Sequence, residues 1–145
     1  MPTYACWATA GTIPVGARKR IVDALTEIHH EVALAPRYLV QVVFNDLTPG
    51  SIYVAGQSAD PAHVWIRADI RAGRTDQQKQ EMLERITTEV GEIVGTSPEE
   101  VWVYINDIPG ANIAEFGSPL PDPGAEEQWF AALPAELQQR LEPLR

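Results

Sequence analysis

The chain has 145 residues, 45% of them hydrophobic and 21% charged, which is enough for one compact domain with a real core. Its net charge of −9 argues against nucleic acid or an anionic membrane as a partner, because both need a basic face. One cysteine, Cys6, excludes an internal disulfide and a cysteine-rich metal site, and no apolar run reaches transmembrane length, so a cytoplasmic protein is expected.

Met1 is followed by Pro2. A small second residue normally allows the initiator Met to be removed, which would leave proline as the N-terminus. Its secondary amine can donate or accept a proton close to neutral pH when its surroundings tune it. Residues 3–8 read as a strand, with Cys6 as a small core residue. Pro14 is a good first-turn residue for a helix whose stripe is Ile21, Leu25 and Val32. Val43-Phe44-Asn45-Asp46 reads as a second strand, and residues 51–56, bounded by Pro49-Gly50, as a short extra one.

The same unit is then written again 61 residues later. Residues 63–68 align with the first strand, and Thr75 stands at the position of Pro14 as an N-cap, with Gln78 three residues on. Met82, Ile86 and Ile93 align with Ile21, Leu25 and Val32, and Gly95 sits where the helix should end. Tyr104-Ile105-Asn106-Asp107 aligns with Val43-Phe44-Asn45-Asp46. The expected fold is α/β (α+β): one domain of two β-α-β repeats, about 2–48 and 62–108, sharing one sheet with the helices on one face. Val101, Val103 and Ile105 alternate with Trp102 and Tyr104, so the sheet is apolar on both faces. Helices can cover one face; another subunit is the natural cover for the other, and an oligomer is expected. A Pro- and Gly-rich arm, 109–145, follows, with short helices over 125–133 and 134–144 anchored by Trp129 and Phe130. It should pack on the core or on a neighbouring subunit.

Polar residues without a repeat counterpart are the candidates for chemistry. Arg71 and Arg74 stand opposite Ala10 and Ile13, and they flank Gly73 just before the second helix. Two guanidinium forks beside exposed helix N–H groups suit a carboxylate; the alternative is two solvated loop arginines. On a helical wheel His29 falls about 80° from Ile21, at the rim of the apolar stripe, and His30 at about 180°, facing water. His29 is thus either a boundary histidine satisfied by a backbone carbonyl or a group that reaches a site at the sheet edge. Adjacent histidines point apart on a helix and no third ligand is evident, so no metal is expected. Glu115 lies in the arm, and Tyr104 alternates with Val103 and Ile105 as a core or interface aromatic. No phosphate-binding glycine loop, nucleophile elbow or zinc motif is present.

Together these residues resemble the tautomerase superfamily, and the doubled length resembles its cis-3-chloroacrylic acid dehalogenase family. The resemblance runs along nearly the whole chain: the Met-Pro-Thr-Tyr start, residues 33–42, Arg71-Ala72-Gly73-Arg74-Thr75, Val101-Trp102-Val103-Tyr104, Glu115-Phe116-Gly117 and residues 123–130. It implies a tautomerase-like fold, a homotrimer with the proline near a subunit interface, and no cofactor. It also implies roles on a small unsaturated carboxylic acid. Pro2, once exposed, protonates the α-carbon. Arg71 and Arg74 hold the carboxylate with help from His29, and Tyr104 and Glu115 position and activate water. Phe116 and Ser118 depart from the family, which usually has tyrosine and arginine there; both losses weaken the site for cis-3-chloroacrylate. The expected activity is hydration or dehalogenation of three-carbon acids to malonate semialdehyde, with decarboxylation to acetaldehyde as a sequel. The alternatives are a keto–enol tautomerase with proline as base, and a non-catalytic trimeric binding protein.

Overall fold

The 61-residue offset governs the architecture of the chain. The computed structural model describes residues 2–145. The first unit is β1 (Thr3–Thr9), α1 (Val15–Ala33) and β2 (Gln41–Leu47), followed by a hairpin of β3 (Tyr53–Val54) and β4 (Gln57–Ser58). The second is β5 (Val64–Arg71), α2 (Asp76–Val94) and β6 (Val101–Ile108), followed by a hairpin of β7 (Ala114–Glu115) and β8 (Ser118–Pro119). The two 19-residue helices keep the offset at both ends, and so do the two hairpins. The repeat therefore runs beyond residue 108, into what the sequence pattern presents as irregular arm. Side-chain similarity is lost there: Val54 stands opposite Glu115, and Ala55 opposite Phe116. The turn geometry persists, with positive φ at Ala55 and Gly56 (52° and 77°) and at Phe116 and Gly117 (50° and 79°), as two-residue hairpin loops require.

One four-stranded sheet has the order β2-β1-β5-β6. Each unit contributes a parallel pair, and β1 joins β5 antiparallel with Tyr4 opposite Ala68 and Trp7 opposite Trp65. Those two pairs interchange under the repeat, so a pseudo-twofold axis passes between β1 and β5. The antiparallel join brings the C-terminal end of β5, which carries Arg71, beside the N-terminal end of β1, which begins at Pro2. That end of the sheet holds the candidate site.

Both long helices lie on one face. Tyr4, Cys6 and Ala8 of β1 and Val64, Ile66, Ala68 and Ile70 of β5 pack beneath Ile21, Leu25 and Ile28 of α1 and Met82, Ile86 and Val90 of α2. Each fully buried branched side chain contributes roughly 1.5–3 kcal/mol. Burial pushes the Cys6 thiol up to about 12, in keeping with a packing role. The other face is largely open. Trp102 is 40% and Tyr104 53% exposed, and Trp7 stacks on Trp65 at 4.6 Å. The β3–β4 hairpin reaches its edge, where Tyr53 and Val54 border a cleft of about 290 Å3 with Trp65, Trp102 and Tyr104.

The helix ends follow local chemistry. Thr75 and Gln78 form a reciprocal capping box, and the Gln78 Nε2 also donates to the Val32 carbonyl at 2.7 Å, tying the start of α2 to the end of α1. Gly95 closes α2 at φ 81°. Pro14 is the N-cap of α1 and not its first helical residue. The arm folds back as α3 (Glu126–Ala131) and α4 (Ala135–Leu141), both shorter than the sequence pattern predicts; Pro134 favours extended backbone before it and separates them. Phe130, Leu133, Leu141 and Leu120 form a second apolar cluster with Tyr38 and Leu39, so the arm packs on its own chain. Among the described residues no helix is long and apolar enough to cross a membrane.

Candidate active site

Pro2 is buried, and its carbonyl accepts the Gln41 N–H at 3.0 Å. The start of the chain is thereby stitched to β2. Met1 lies outside the described residues. Beside Thr3 opens a cleft of about 620 Å3, bordered by Tyr38, Gln41, Glu115 and Phe116. Glu115 enters it from the β7–β8 hairpin. Burial pushes its carboxyl above the usual carboxylate range, and the nearby Arg71 charge opposes the shift. A carboxylate raised this way is a stronger base than a solvated one.

His29 is only 1% exposed. The rim of the α1 stripe is buried because α2 packs alongside α1 and because β1 sends Tyr4 up beneath it. The Tyr4 hydroxyl lies 2.9 Å from His29 Nδ1. The backbone-carbonyl partner considered for His29 belongs instead to His30. The chain reverses after α1 through Leu34 at φ 54°, and the Ala35 carbonyl comes to 2.9 Å from His30 Nδ1. His30 is thus half-buried and anchored, where the wheel placed it facing water. Burial, with repulsion from Arg74 and Arg71, lowers the His29 pKa to about 3, so the ring is neutral at physiological pH. Burial likewise pushes the Tyr4 phenol up, against the Arg74 charge. The Tyr4 hydroxyl can donate to Nδ1, the arrangement that would put the histidine proton on Nε2.

The arginines are not solvated loop residues. Arg71 is 2% exposed. Its Nη1 donates to the Pro121 carbonyl at 2.6 Å, and its Nη2 is ion-paired with Glu126. Arg74 has a buried Nε without a hydrogen-bond partner among the described residues. Burial and the adjacent Arg71 charge lower its pKa. Arg74 borders a second cleft of about 220 Å3, which it shares with Gly73, Pro123 and Glu126. The arm is held tightly on this loop: a Cβ at Gly73, where φ is 110°, would lie 2.6 Å from Pro123 Cγ.

One chain thus brings Pro2, His29, Arg71, Arg74 and Glu115 to one end of the sheet, and it leaves Tyr104 out. Alternation along β6 turns Tyr104 to the open face, edge-on to Trp65 at 5.7 Å, in a different cleft from Glu115. Sequence reasoning gave no role to Tyr4 or Glu126. Both fall in stretches carrying the family resemblance, but nothing in their spacing links Tyr4 to His29 or Glu126 to Arg71. Among the described residues no three His, Cys, Asp or Glu side chains converge as metal ligands.

Residues 1–132 match the family model described as "Putative oxalocrotonate tautomerase enzyme". The crystal structure of N1, a member of the cis-3-chloroacrylic acid dehalogenase family, is 52% identical over 98% of this chain and 99% of its own, with a TM-score of 0.96. The chain belongs to the cis-3-chloroacrylic acid dehalogenase family of tautomerases. A further structure, native Ps01740, is 34% identical over 78% of this chain and 99% of its own, with a TM-score of 0.73. FG41 malonate semialdehyde decarboxylase, solved with 3-bromopropiolate, shares the fold at 23% identity over 91% of this chain and 99% of its own, with a TM-score of 0.70. Among curated protein sequences none matches. The dehalogenase-family fold accounts for the clustering at one sheet end, since the antiparallel join of the two repeats places the first residue of one beside the last strand residue of the other.

Proposed function

We propose that this chain is a cofactor-independent hydratase and dehalogenase of three-carbon unsaturated acids, working through the amine of Pro2 after removal of Met1. The observation that carries the reading is Glu115: a half-buried carboxyl, raised by burial, on the cleft next to the start of β1. Water addition needs a proton at C2 and hydroxide at C3, with charge growing on the carboxylate side between the two events. Glu115 takes a proton from water as oxygen attacks C3, and the Pro2 ammonium gives a proton to C2. Arg74, the remaining donors of Arg71 and the Nε2–H of His29 hold the carboxylate and the developing charge. Propiolate yields the enol of malonate semialdehyde. cis-3-Chloroacrylate yields a chlorohydrin that expels chloride, with loss of the hydroxyl proton, to give the same aldehyde. Solvent restores the two proton carriers.

The open aromatic face supports assembly into a homotrimer, in which a neighbouring copy covers that face and Tyr104 acts across the interface. The test is a proton NMR time course of the Met-free protein with propiolate and, separately, cis-3-chloroacrylate. Malonate semialdehyde or acetaldehyde appears, and it is lost in Pro2→Ala and reduced about 10²- to 10⁴-fold in Glu115→Gln. Unchanged hydration by Glu115→Gln removes the water-activating role.

A second reading, keto–enol tautomerisation with Pro2 as base, is favoured by the family description and by Phe116, which lacks a hydroxyl to aid Glu115. It predicts ketonisation of phenylenolpyruvate that survives Glu115→Gln.

A further inference from the structure

We infer that Glu126 sets the charge selectivity of the site, restricting it to acids with a single carboxylate. The inference rests on the reading that the arginines receive the substrate carboxylate. Arg71 is almost wholly enclosed, and Glu126 sits on its Nη2 with a side chain only 15% exposed. Both carboxylate oxygens of Glu126 are engaged: Oε1 by Arg71, and Oε2 by the Gly124 N–H at 2.8 Å. Burial pushes the Glu126 carboxyl up, but the Arg71 hydrogen bond and charge and the Gly124 N–H outweigh it, so the group is ionised. Arg71 and Glu126 therefore form a neutral pair. His29 is neutral as well. Removal of Met1 would place the Pro2 ammonium near Glu115, and Arg74 differs from Arg71 in having a buried Nε without a hydrogen-bond partner among the described residues, the Glu126 and Asp107 charges acting on it only from a distance.

Glu126 is not a remote counter-ion. It borders the same cleft as Arg74, and its carboxylate is held there by Arg71 and the Gly124 N–H. Arg71 has given two of its five N–H donors to the protein and is only 2% exposed, so Arg74 is the cation that a ligand in this cleft meets. A second carboxylate on the ligand meets no second free cation, and it faces the Glu126 anion across the cleft. This gives a function to residues 123–130, a stretch that the proposed chemistry leaves unused.

The test is isothermal titration of the wild-type protein, Glu126→Gln and Glu126→Asp with cis-crotonate and with maleate, which share a cis-alkene acid and differ in one carboxylate. Titrations run at about pH 8, where both acids are fully ionised. In the wild type maleate binds at least about tenfold more weakly than cis-crotonate, as expected for a second carboxylate brought into the cleft without a partner. Glu126→Gln, which keeps an oxygen for Arg71, closes or reverses that gap; Glu126→Asp retains it. Equal dissociation constants in the wild type, or an unchanged ratio in folded Glu126→Gln, overturn the inference. If Glu126→Gln fails to fold, the wild-type ratio decides alone. Discrimination without any turnover of propiolate refutes the proposed reaction and leaves the charge assignment standing. Binding of neither acid overturns both.

Discussion

Replacing His29 by asparagine tests a strongly perturbed group at the site. His29 is enclosed between α1, β1 and the two arginines, and its pKa is lowered from 6.5 to about 3. In the unfolded chain the ring takes a proton near pH 6.5, while the folded protein resists it down to about pH 3. Its contribution to stability is therefore fully present above pH 6.5 and is lost progressively as the pH falls toward 3. The slope is about 1.4 kcal/mol per pH unit for one proton. Between pH 6.5 and 5 the wild type thus loses about 2 kcal/mol through this residue alone. The substituted asparagine cannot titrate, and its amide oxygen can accept from Tyr4 in place of Nδ1. Urea unfolding of both proteins across this range, at one fixed protomer concentration, isolates the effect because every other group is common to both. The His29→Asn protein should lack the acid-side slope. Parallel slopes in the two proteins would refute the account of His29 as a neutral buried ring.

Two further outcomes follow from the loop that carries the arginines. Gly73→Ala forces a Cβ into Pro123 and an unfavourable positive φ; it should cost roughly 1–3 kcal/mol in thermal unfolding and weaken cis-crotonate binding while the far-UV spectrum stays unchanged. Thr75→Ala removes the capping box that fixes the start of α2; it should cost about 1 kcal/mol, and Thr75→Ser should restore most of it.

Much of this protein is legible along the chain because the information is local. The helical stripes of Ile21, Leu25 and Val32 and of Met82, Ile86 and Ile93 announce two helices of equal length. Thr75 with Gln78, and Gly95, mark the ends of the second. Strand alternation around Val103 separates Tyr104 from Val103 and Ile105 but leaves it as a core or an interface aromatic; the structure turns it to the open face, where it is 53% exposed. The matching hairpins were not legible, because a two-residue turn needs only a Gly and a partner that tolerates positive φ. Ala55 and Phe116 share that conformation and nothing else.

The pairings inside the site were decided by tertiary structure. One-dimensional periodicity places His29 on the rim of its helix, but its burial depends on α2 alongside and on Tyr4 beneath. The swap of partners between His29 and His30 depends on how the chain reverses at Leu34. The Arg71–Glu126 pair joins residues that are far apart in sequence, and it forms only because the arm closes over Gly73. Local patterns determine which residues share a face of a helix or strand. Contacts between elements depend on strand register and on docking of the arm, and those are properties of the assembled packing.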